Sequence, residues 1–510
     1  MFALTFAPLP SLKSVIPIEK KFSSKNDKFF LVKKASEALL KSITRLDKKK
    51  LKKIRVFVGP GTNGADGIFL SSLLIKANYK VDIYIPQKSK KSHQVIIDEL
   101  NLGDYIVSEN DIGCAKYTLV IDGLFGTGLN KNITGVFSKI IDEINVSNAY
   151  VVSIDIPSGL NSETGVVLKK AVFSNLTCSL ISLKKGLFTK SGRDFWKKIE
   201  NHPLVKSDLK EKSFLFSLTP LTKYKIELFD YKIKLKPKKI NFIKCFDTHK
   251  NSLGKSLIIG GNYNFFGALL LSSKSALKTG SRYIEVISTK KHAELLPIQH
   301  PELITSSYGS SELSSKFKTY NNLLIGPGLG QSKWSEKIFS EFSIFLQNNN
   351  SQHNIIVDAD ALNLLAKNPF RYNNWILTPH PGEAARLLGV NVATVQANRF
   401  EAANQLQKKY GGIIVLKGSG TIIKTLSDDI FVCLHGNEGM ATAGMGDCLS
   451  GIILSCIGLV KNKADAVLFA TAIHSLSGDL VAEKKGTIGL LATDVIKECS
   501  TLLNLDKNLE

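Results

Sequence analysis

Short apolar runs alternate with segments of helical periodicity through the first half of the chain. The runs typical of buried strands are 54–58, 81–85, 119–121 and 151–154. Apolar residues recur at helical spacing over 34–46 and 68–77. Strands that alternate with helices predict a parallel sheet covered by helices, and such sheets bind ligands outside the carboxyl ends of their strands.

The same alternation begins again in the second half. Its predicted strands are 256–259, 283–287, 323–325, 355–357, 375–377 and 413–416. Between the two series, residues 228–247 are charged, Lys-rich and interrupted by Pro237, as expected of a domain boundary. We therefore predict an α/β protein with domains at 1–228 and 241–510, joined by a linker at 229–240.

The net charge of +23 changes this picture little. It would point to nucleic acid or an acidic membrane if it formed a patch, but it is carried mainly by Lys scattered along the chain. We therefore expect neither partner. No 18-residue apolar stretch is present, and residues 1–10 lack the pattern of a secretory signal.

Cysteine usage indicates a reducing compartment. The seven cysteines include no CxxC pair and leave an odd one, so the pattern predicts neither a zinc site nor a disulfide framework. We expect a cytoplasmic protein that forms a homo-oligomer.

Three loops that follow predicted strands carry the candidate chemistry of the first half. Residues 59–64 satisfy GxGxxG, but Asp82 lies near the start of the next strand, where a dinucleotide fingerprint needs an acid at its end. Asn63, Asp122, Asp155 and Ser158 bring oxygen ligands to one sheet edge. They suit a hard monovalent cation and a phosphorylated ligand, although strand-end capping also explains both acids.

Four segments in this order resemble the NAD(P)H-hydrate epimerases: GPGTNGADG (59–67), DGLFGTG (122–128), IDIPSGLNSETG (154–165) and LKKGL (183–187). The resemblance implies a Rossmann-like three-layer sandwich and a potassium site made by Asn63, Asp122 and Ser158. It assigns the hydrated nucleotide to Thr62, Asn63, Gly64, Ala65, Asp66, Gly126, Thr127, Gly128, Leu129, Asn130, Lys131, Asn132 and Asp155. Epimerisation needs an acid and a base, which Asp122 or Asp155 could supply with Lys184. The alternative for Lys184 is a solvated lysine.

Three residues depart from the usual epimerase pattern. Thr62 and Ala65 replace Asn and Gly, and Lys185 replaces Pro. Ala65 adds a methyl group where a glycine conformation or close approach to the ligand is expected. A first half that only binds nucleotide or mediates oligomerisation therefore stays open.

The segment Gly444-Met445-Gly446-Asp447 begins an apolar helical run in the second half. Helix N-terminal amides bind phosphate, and the Asp can take a proton from a hydroxyl. A glycine-rich turn before a core helix is the alternative for this segment alone.

Further segments place this turn in a wider pattern. They are HKNSLGK (249–255), GGN (260–262), FGA (266–268), GPGLG (326–330), VDADALN (357–363), LTPHPGE (377–383) and KGSGT (417–421). Their order resembles the ADP-dependent NAD(P)H-hydrate dehydratases, a branch of the ribokinase-like doubly wound fold. The resemblance places Ala268, Gly330, His380 and Asp447 on the hydrated nucleotide, and Lys417, Gly418, Ser419, Gly420, Thr421 and Gly446 on ADP or AMP.

In this resemblance Asp447 deprotonates the ring hydroxyl, which attacks the phosphoryl donor, usually with Mg²⁺. The ring nitrogen then expels phosphate and restores the double bond. The alternative for His380 is a polar loop residue. For Asp358 and Asp360 we expect structural turn acids, or at most outer-sphere support of a metal ion. Arg282 stands where small residues are usual.

The two resemblances together predict a nicotinamide nucleotide repair enzyme. Its first half would interconvert the R and S hydrates, NADHX and NADPHX, with K⁺, and its second half would dehydrate the S form with ADP and Mg²⁺. A ribokinase-like kinase for a small alcohol is the alternative.

Overall fold

The computed structural model describes residues 2–25, 27, 29–86, 91–108, 110–205, 212–219, 221–228, 237–243, 251, 253–309, 313–349 and 353–505. The chain divides into two compact units. The N-terminal unit comprises residues 7–214 and 219–235, and the C-terminal unit comprises 1–6, 215–218 and 236–510. Residues 229–236 of the predicted linker and 249, 250 and 252 of the HKNSLGK segment lie outside the described residues.

The elements up to residue 228 are β1 (Ala3–Pro8), α1 (Leu12–Lys25), α2 (Phe30–Thr44), β2 (Ile54–Val58), α3 (Thr62–Lys76), β3 (Val81–Tyr84), α4 (Lys91–Glu99), β4 (Leu119–Gly123), α5 (Gly135–Val146), β5 (Tyr150–Ile154), β6 (Leu176–Leu180), β7 (Ile199–His202), β8 (Ser213–Ser217) and β9 (Ile226–Leu228). Seven of the strands form a sheet in the order β3-β2-β4-β5-β6-β7-β9. Every neighbouring pair is parallel.

Both faces of this sheet are covered, as the fully buried strand β2 shows. Val56 packs in a cluster with residues of α2 and α3, whereas Phe57 packs on the opposite face with residues of α5. The strand order reverses between β2 and β4, so a crevice opens at their carboxyl ends. The predicted three-layer sandwich is confirmed.

The later elements are β10 (Lys238–Lys239), β11 (Ser256–Ile259), α6 (Phe266–Lys278), β12 (Ile284–Ser288), α7 (Lys290–Gln299), β13 (Ile304–Ser307), α8 (Leu313–Thr319), β14 (Asn322–Ile325), α9 (Lys333–Asn348), β15 (Asn354–Val357), α10 (Asp360–Lys367), β16 (Trp375–Leu377), α11 (Pro381–Leu388), α12 (Val392–Ala397), α13 (Arg399–Tyr410), β17 (Ile413–Leu416), β18 (Ile422–Lys424), β19 (Ile430–Cys433), α14 (Met445–Leu459), α15 (Lys463–Lys485) and α16 (Ala492–Leu505).

The C-terminal sheet has the order β10-β1-β8-β19-β18-β17-β16-β15-β14-β11-β12-β13. The strands from β17 to β13 are parallel, and β18 and β19 are antiparallel additions. The order reverses between β11 and β14, so the second crevice lies there. The doubly wound α/β prediction is confirmed. Within the described residues, no helix combines the length and apolar character needed to cross a bilayer.

Strands β1 and β8 were not predicted from the sequence. Leu4 and Phe216 are fully buried and belong to the core of the C-terminal sheet. The ring of Phe431 on β19 packs against Phe6 and Phe216, with centroids 5.6 and 6.2 Å apart. The apolar character of residues 3–8 thus fits a strand inside a sheet.

Candidate active sites

The loop after β2 lies directly against the neighbouring strand end. A Cβ on Gly59 would come within 1.6 Å of the Leu124 carbonyl oxygen, and one on Gly64 within 2.0 Å of the Gly59 carbonyl oxygen. Ala65 is different, because it lies in the first turn of α3 and its φ is not positive. Its methyl group packs in the core, so the expected need for a glycine conformation at Ala65 is wrong.

Asp122, near the end of β4, is fully buried and joins the loops that follow β4 and β5. Its Oδ1 accepts hydrogen bonds from Ser158 Oγ at 2.5 Å and from the Leu124 amide at 3.3 Å. Its Oδ2 accepts from Ser153 Oγ and from the Ser158 amide, both at 2.9 Å. Burial raises the pKa of Asp122, and these hydrogen bonds oppose the shift.

The predicted potassium ligands lie on these loops. The side-chain amide of Asn63 donates to the Ile154 carbonyl at 3.2 Å, which leaves its Oδ1 beside Gly126. The Ser158 hydroxyl lies between Asp122 and the Phe125 carbonyl. Carboxylate, amide and hydroxyl oxygens are the ligands that a hard cation prefers, so this donor set fits potassium.

Asp155 and Lys184 form a buried ion pair at the next strand end. Asp155 has a φ of 67° and also accepts from the Leu180 amide at 2.9 Å. Lys184 is 6% exposed, and its ammonium donates to the carbonyls of Leu180 at 2.7 Å and Ser182 at 2.9 Å. The alternative of a solvated lysine is therefore wrong.

Two further acids interact with Asp155. Asp66, in the first turn of α3, is buried, and burial raises its pKa with added repulsion from Asp155 and Glu19. Burial, followed by Asp155, also raises the pKa of Glu19 on α1. Sequence reasoning missed Glu19 because α1 lacks a clear apolar pattern.

The remaining predicted substrate residues of this unit, 126–132, form the half-exposed to exposed loop between β4 and α5. The Ser162 hydroxyl donates to the carbonyl of Thr127 at 3.2 Å, which fixes one end of this loop. Its exposed backbone is accessible to a ligand at the same sheet edge.

In the C-terminal unit, the loops after β11 and β14 pack backbone against backbone. The amide of Asn262 donates to the Gly328 carbonyl at 2.7 Å, and a Cβ on Gly328 would lie 3.2 Å from that of Ala268. The Gly330 amide donates to Asp360 Oδ2 at 2.8 Å. The structure thus brings Ala268 and Gly330 to the crevice, and Asp360 holds the second of them.

His380 is the N-cap of α11. Its Nδ1 accepts from the Gly382 amide at 2.9 Å, and Glu383 Oε2 accepts from the His380 amide at 2.7 Å, which completes a capping box. Because Nδ1 is an acceptor, the neutral ring carries its proton on Nε2. The ring is 49% exposed, so this nitrogen can still meet a ligand.

Lys417, directly after β17, places its ammonium between two acidic groups and the start of α14. Its Nζ donates to Asp358 Oδ1 at 2.8 Å and lies 3.9 Å from Glu383 Oε2. It also lies 3.2 Å from where a Cβ on Gly446 would be. An anion at the Gly446 amides would therefore meet a positive charge.

The backbone of residues 416–420 is organised by Arg399, a fully buried residue that sequence reasoning missed. Its guanidinium donates to the carbonyls of Leu416 at 3.1 Å, Lys417 at 3.2 Å and Gly420 at 3.1 Å, and also to that of Ser419. These four carbonyls point inward to the guanidinium. Gly418 and Ser419 are exposed on the outer side of the turn, where a nucleotide can bind.

Asp447 lies in the first turn of α14, after Gly444 with a φ of 88°. Burial raises the pKa of Asp447 to about 7, repulsion from Asp358 adds to the rise, and Lys417 opposes it. A carboxylate with this pKa is suited to accept a proton near neutral pH.

The loop before α14 is held by Asp479, another residue that the sequence did not reveal. Asp479 accepts from the Gly436 amide at 3.0 Å and from the Asn437 side-chain amide at 3.0 Å. Arg282 is exposed and precedes β12, so it lies at the amino end of that strand, opposite the crevice edge.

Two family profiles each match one part of the chain, and whole-length relatives match most of it. The sequence profile described as NAD(P)H-hydrate dehydratase matches residues 256–501, and that described as YjeF-related protein N-terminus matches 28–186. The bifunctional NAD(P)H-hydrate repair enzyme of Coxiella burnetii is 35% identical over 88% of this chain and 90% of its own length. That of Escherichia coli is 33% identical over 89% and 86%.

A solved structure also resembles the C-terminal unit. The ADP/ATP-dependent NAD(P)H-hydrate dehydratase of Bacillus subtilis, co-crystallised with ATP and Mg²⁺, is 28% identical. It covers 53% of this chain and 95% of its own, with a TM-score of 0.47.

Proposed function

Since the chain belongs to the bifunctional NAD(P)H-hydrate repair enzymes, which join an epimerase domain to a dehydratase domain, we propose which of its residues carry each activity. The dehydratase would act at the β11–β14 crevice, and the epimerase at the β2–β4 crevice. NADHX and NADPHX are the proposed substrates, and ADP is the proposed phosphoryl donor. We also propose a cytoplasmic homo-oligomer.

In the dehydratase, Asp447 takes the proton of the ring hydroxyl of the S hydrate. The hydroxyl oxygen then attacks the terminal phosphorus of ADP, and AMP leaves. The ring nitrogen lone pair expels inorganic phosphate, and loss of a proton from the adjacent carbon restores the double bond. Support comes from the raised pKa of Asp447 and from its place at a helix N-terminus.

The other residues position the two ligands. Lys417 and the Gly446 amide would stabilise the transferred phosphoryl group, because Gly446 lies in the first turn of α14 and the Lys417 ammonium lies beside it. Residues 418–421 would hold the rest of ADP on the turn that Arg399 fixes. Ala268, Gly330 and His380 would border the hydrated nicotinamide nucleotide.

Asp358 would support Mg²⁺. Among the described residues, the buried Asp358 Oδ2 has no hydrogen-bond partner, so it can accept from a water of the hydrated ion. Mg²⁺ would neutralise charge on the phosphates of the donor. Asp358 would thus pair with Lys417 through one oxygen and support Mg²⁺ through the other.

In the epimerase, Asn63, Asp122 and Ser158 would hold K⁺, which would fix the phosphate-side loops. The first-turn residues 62–66, residues 126–132 and Asp155 would contact the nucleotide. Asp122 or Asp155 would act with Lys184 as the acid and base near the reacting carbon, and Lys184 forms an ion pair with Asp155.

The dehydratase proposal rests above all on Asp447 beside the Lys417 ammonium, and one assay tests both halves. Purified protein is incubated with mixed R and S NADHX, ADP and Mg²⁺, with and without K⁺, while NADH absorbance is followed. We expect complete conversion, faster than spontaneous epimerisation. If NADH formation stops once the S hydrate has been consumed, the N-terminal unit is not catalytic. Accumulation of a stable phosphorylated product would favour a kinase.

A further inference from the structure

A buried group of metal-ligating side chains lies on the α2-covered face of the N-terminal sheet, and neither proposed activity uses it. Cys178 of β6 and Glu200 and His202 of β7 are 0%, 3% and 8% exposed. One ligand atom from each lies within 4.8 Å of the others. Among the described residues, this is the one such cluster of His, Cys and acidic side chains.

The strand register explains why these residues meet. Cys178 pairs with Glu200 across the parallel strands, and Leu180 pairs with His202. Residues two apart on a strand share a face, so Glu200 and His202 both point to the side of Cys178. The sequence did not indicate a zinc site because these ligands come from two strands and have no CxxC spacing.

The distances suit a small tetrahedral ion. His202 Nε2 lies 3.7 Å from Glu200 Oε2, and tetrahedral Zn²⁺ with bonds of about 2.0–2.3 Å separates its ligand atoms by roughly 3.3–3.7 Å. The hydroxyl of Ser42 on α2 reaches the same two atoms, at 2.5 Å from Oε2 and 2.9 Å from Nε2. The Ser42 hydroxyl thus lies where these ligand atoms converge, in the position that an ion would take.

Lys198 fixes the orientation of the Glu200 carboxylate. Lys198 donates to the other oxygen, Glu200 Oε1, at 2.8 Å and also pairs with Glu227 at 2.9 Å. This leaves Oε2 directed at Ser42 and His202. Outer partners of this kind orient the ligands of metal sites.

We propose that Cys178, Glu200 and His202 bind Zn²⁺, with the rotated Ser42 hydroxyl or a water as the fourth ligand. Binding releases the thiol proton to solvent and leaves a Zn–thiolate bond. The site links α2 to β6 and β7. It also backs the epimerase crevice, because the Cys178 carbonyl accepts a hydrogen bond from the Asp155 amide at 2.8 Å.

The test is a metal titration of the untagged full-length chain after removal of metals with a chelator. We expect one equivalent of Co²⁺ to give tetrahedral d–d bands and a thiolate-to-cobalt charge-transfer band, and Zn²⁺ to displace it. Cys178→Ser should lose the charge-transfer band, and His202→Ala should weaken binding at least about tenfold. Cys114→Ser is the matched control, because Cys114 is a buried thiol packed on the other face of this sheet.

Ser42→Ala separates a metal site from a purely hydrogen-bonded cluster. In a metal site, this variant keeps cobalt binding, since three protein ligands and a water remain. In a hydrogen-bonded cluster, Ser42→Ala unfolds at a lower temperature and Zn²⁺ does not restore it. Failure of the wild-type chain to bind stoichiometric Zn²⁺ or Co²⁺ overturns the proposal even if a variant does not fold, and so does a charge-transfer band that persists in Cys178→Ser.

Discussion

Two opposing influences act on the ionisation of the Asp447 carboxyl group. It lies at the amino end of α14, where amides attract negative charge, yet burial and Asp358 make its ionised form costly. The result is a carboxylate that holds a proton weakly near pH 7. A group of this kind can accept a proton from a hydroxyl and release it within one turnover.

We expect Asp447→Asn to abolish dehydration and leave epimerisation intact, because the amide keeps the shape of the side chain but cannot accept the hydroxyl proton. NADH formation measures the first activity, and chromatographic separation of the R and S hydrates measures the second. Substantial remaining dehydratase turnover would remove Asp447 from its proposed role as base.

The pH dependence follows from the same pKa. Asp447 acts in its deprotonated form, so kcat/KM for the S hydrate should rise with pH and level off above about 7. At pH 6, about one unit below this pKa, the value should be roughly a tenth of the plateau. Initial rates between pH 6 and 8.5 measure this, with epimerase rates in the same buffers as the control. A flat profile would exclude a base of this pKa.

At the scale of elements, helix α3 accommodates a departure from a family pattern. Ala65 replaces a glycine, but it has a helical backbone and a buried methyl group. The glycines that the fold requires here are Gly59 and Gly64, whose added Cβ atoms would meet backbone.

Ala65→Gly should therefore not increase epimerase activity. It should lower the free energy of unfolding by about 0.5–1 kcal/mol, because glycine loses more conformational entropy in a helix. Denaturant unfolding and the epimerisation rate measure the two effects. A clear gain in epimerisation with Ala65→Gly would show that the methyl group obstructs the ligand.

The turn at 417–421 depends on Arg399 from the helix α13. Arg399→Lys keeps the charge but cannot reach four carbonyls. We expect the KM for ADP to rise about tenfold or more, with a smaller change in kcat, since the turn positions the nucleotide and Asp447 is untouched. Lys408→Ala, on the exposed side of the same helix, is the control. An unchanged KM would show that the turn keeps its form without the guanidinium.

Local pattern predicted the parallel strands β2–β5, β11, β12 and β14–β17, because apolar runs followed by Gly, Asp or Pro are a local signal, but it missed β1, β6–β10, β13, β18 and β19. Strands β2, β11, β16 and β17 have the predicted bounds. Arg399 and Asp479 were not predicted because each reaches a site loop from a separate helix, 17–21 and 42–43 residues away in sequence. Glu19 was not predicted because α1 lacks a clear apolar pattern. The burial of Lys184 was also not predicted, because it depends on the ion pair with Asp155 from the preceding strand end.

At the scale of the whole molecule, the C-terminal sheet is completed by strands from two early segments. Leu4 of β1 and Phe216 of β8 are fully buried in its core, and the Leu434 amide donates to the Phe216 carbonyl at 3.0 Å. A chain of residues 236–510 alone would expose the edge of β19 and lose these apolar contacts.

We therefore expect the 236–510 chain to unfold at a lower temperature than the dehydratase unit of the full chain, and to aggregate.

In the full chain, Leu4→Ala should cost about 2–5 kcal/mol of unfolding free energy. Calorimetry with ADP measures both, and Ile16→Ala, at an exposed position on α1, is the control. An equal midpoint for the short chain would show that β1 and β8 add little.

The position of β8 in the sheet also determines how long this strand waits for its partner during synthesis. Its partner β19 lies more than 200 residues later in the chain, and ribosomes add about 5–20 residues per second. The apolar strand Ser213–Ser217 must therefore wait roughly ten to forty seconds for the neighbour that covers its edge. During that interval β8 can have β1 on one side, but its other edge is open to pairing with other chains.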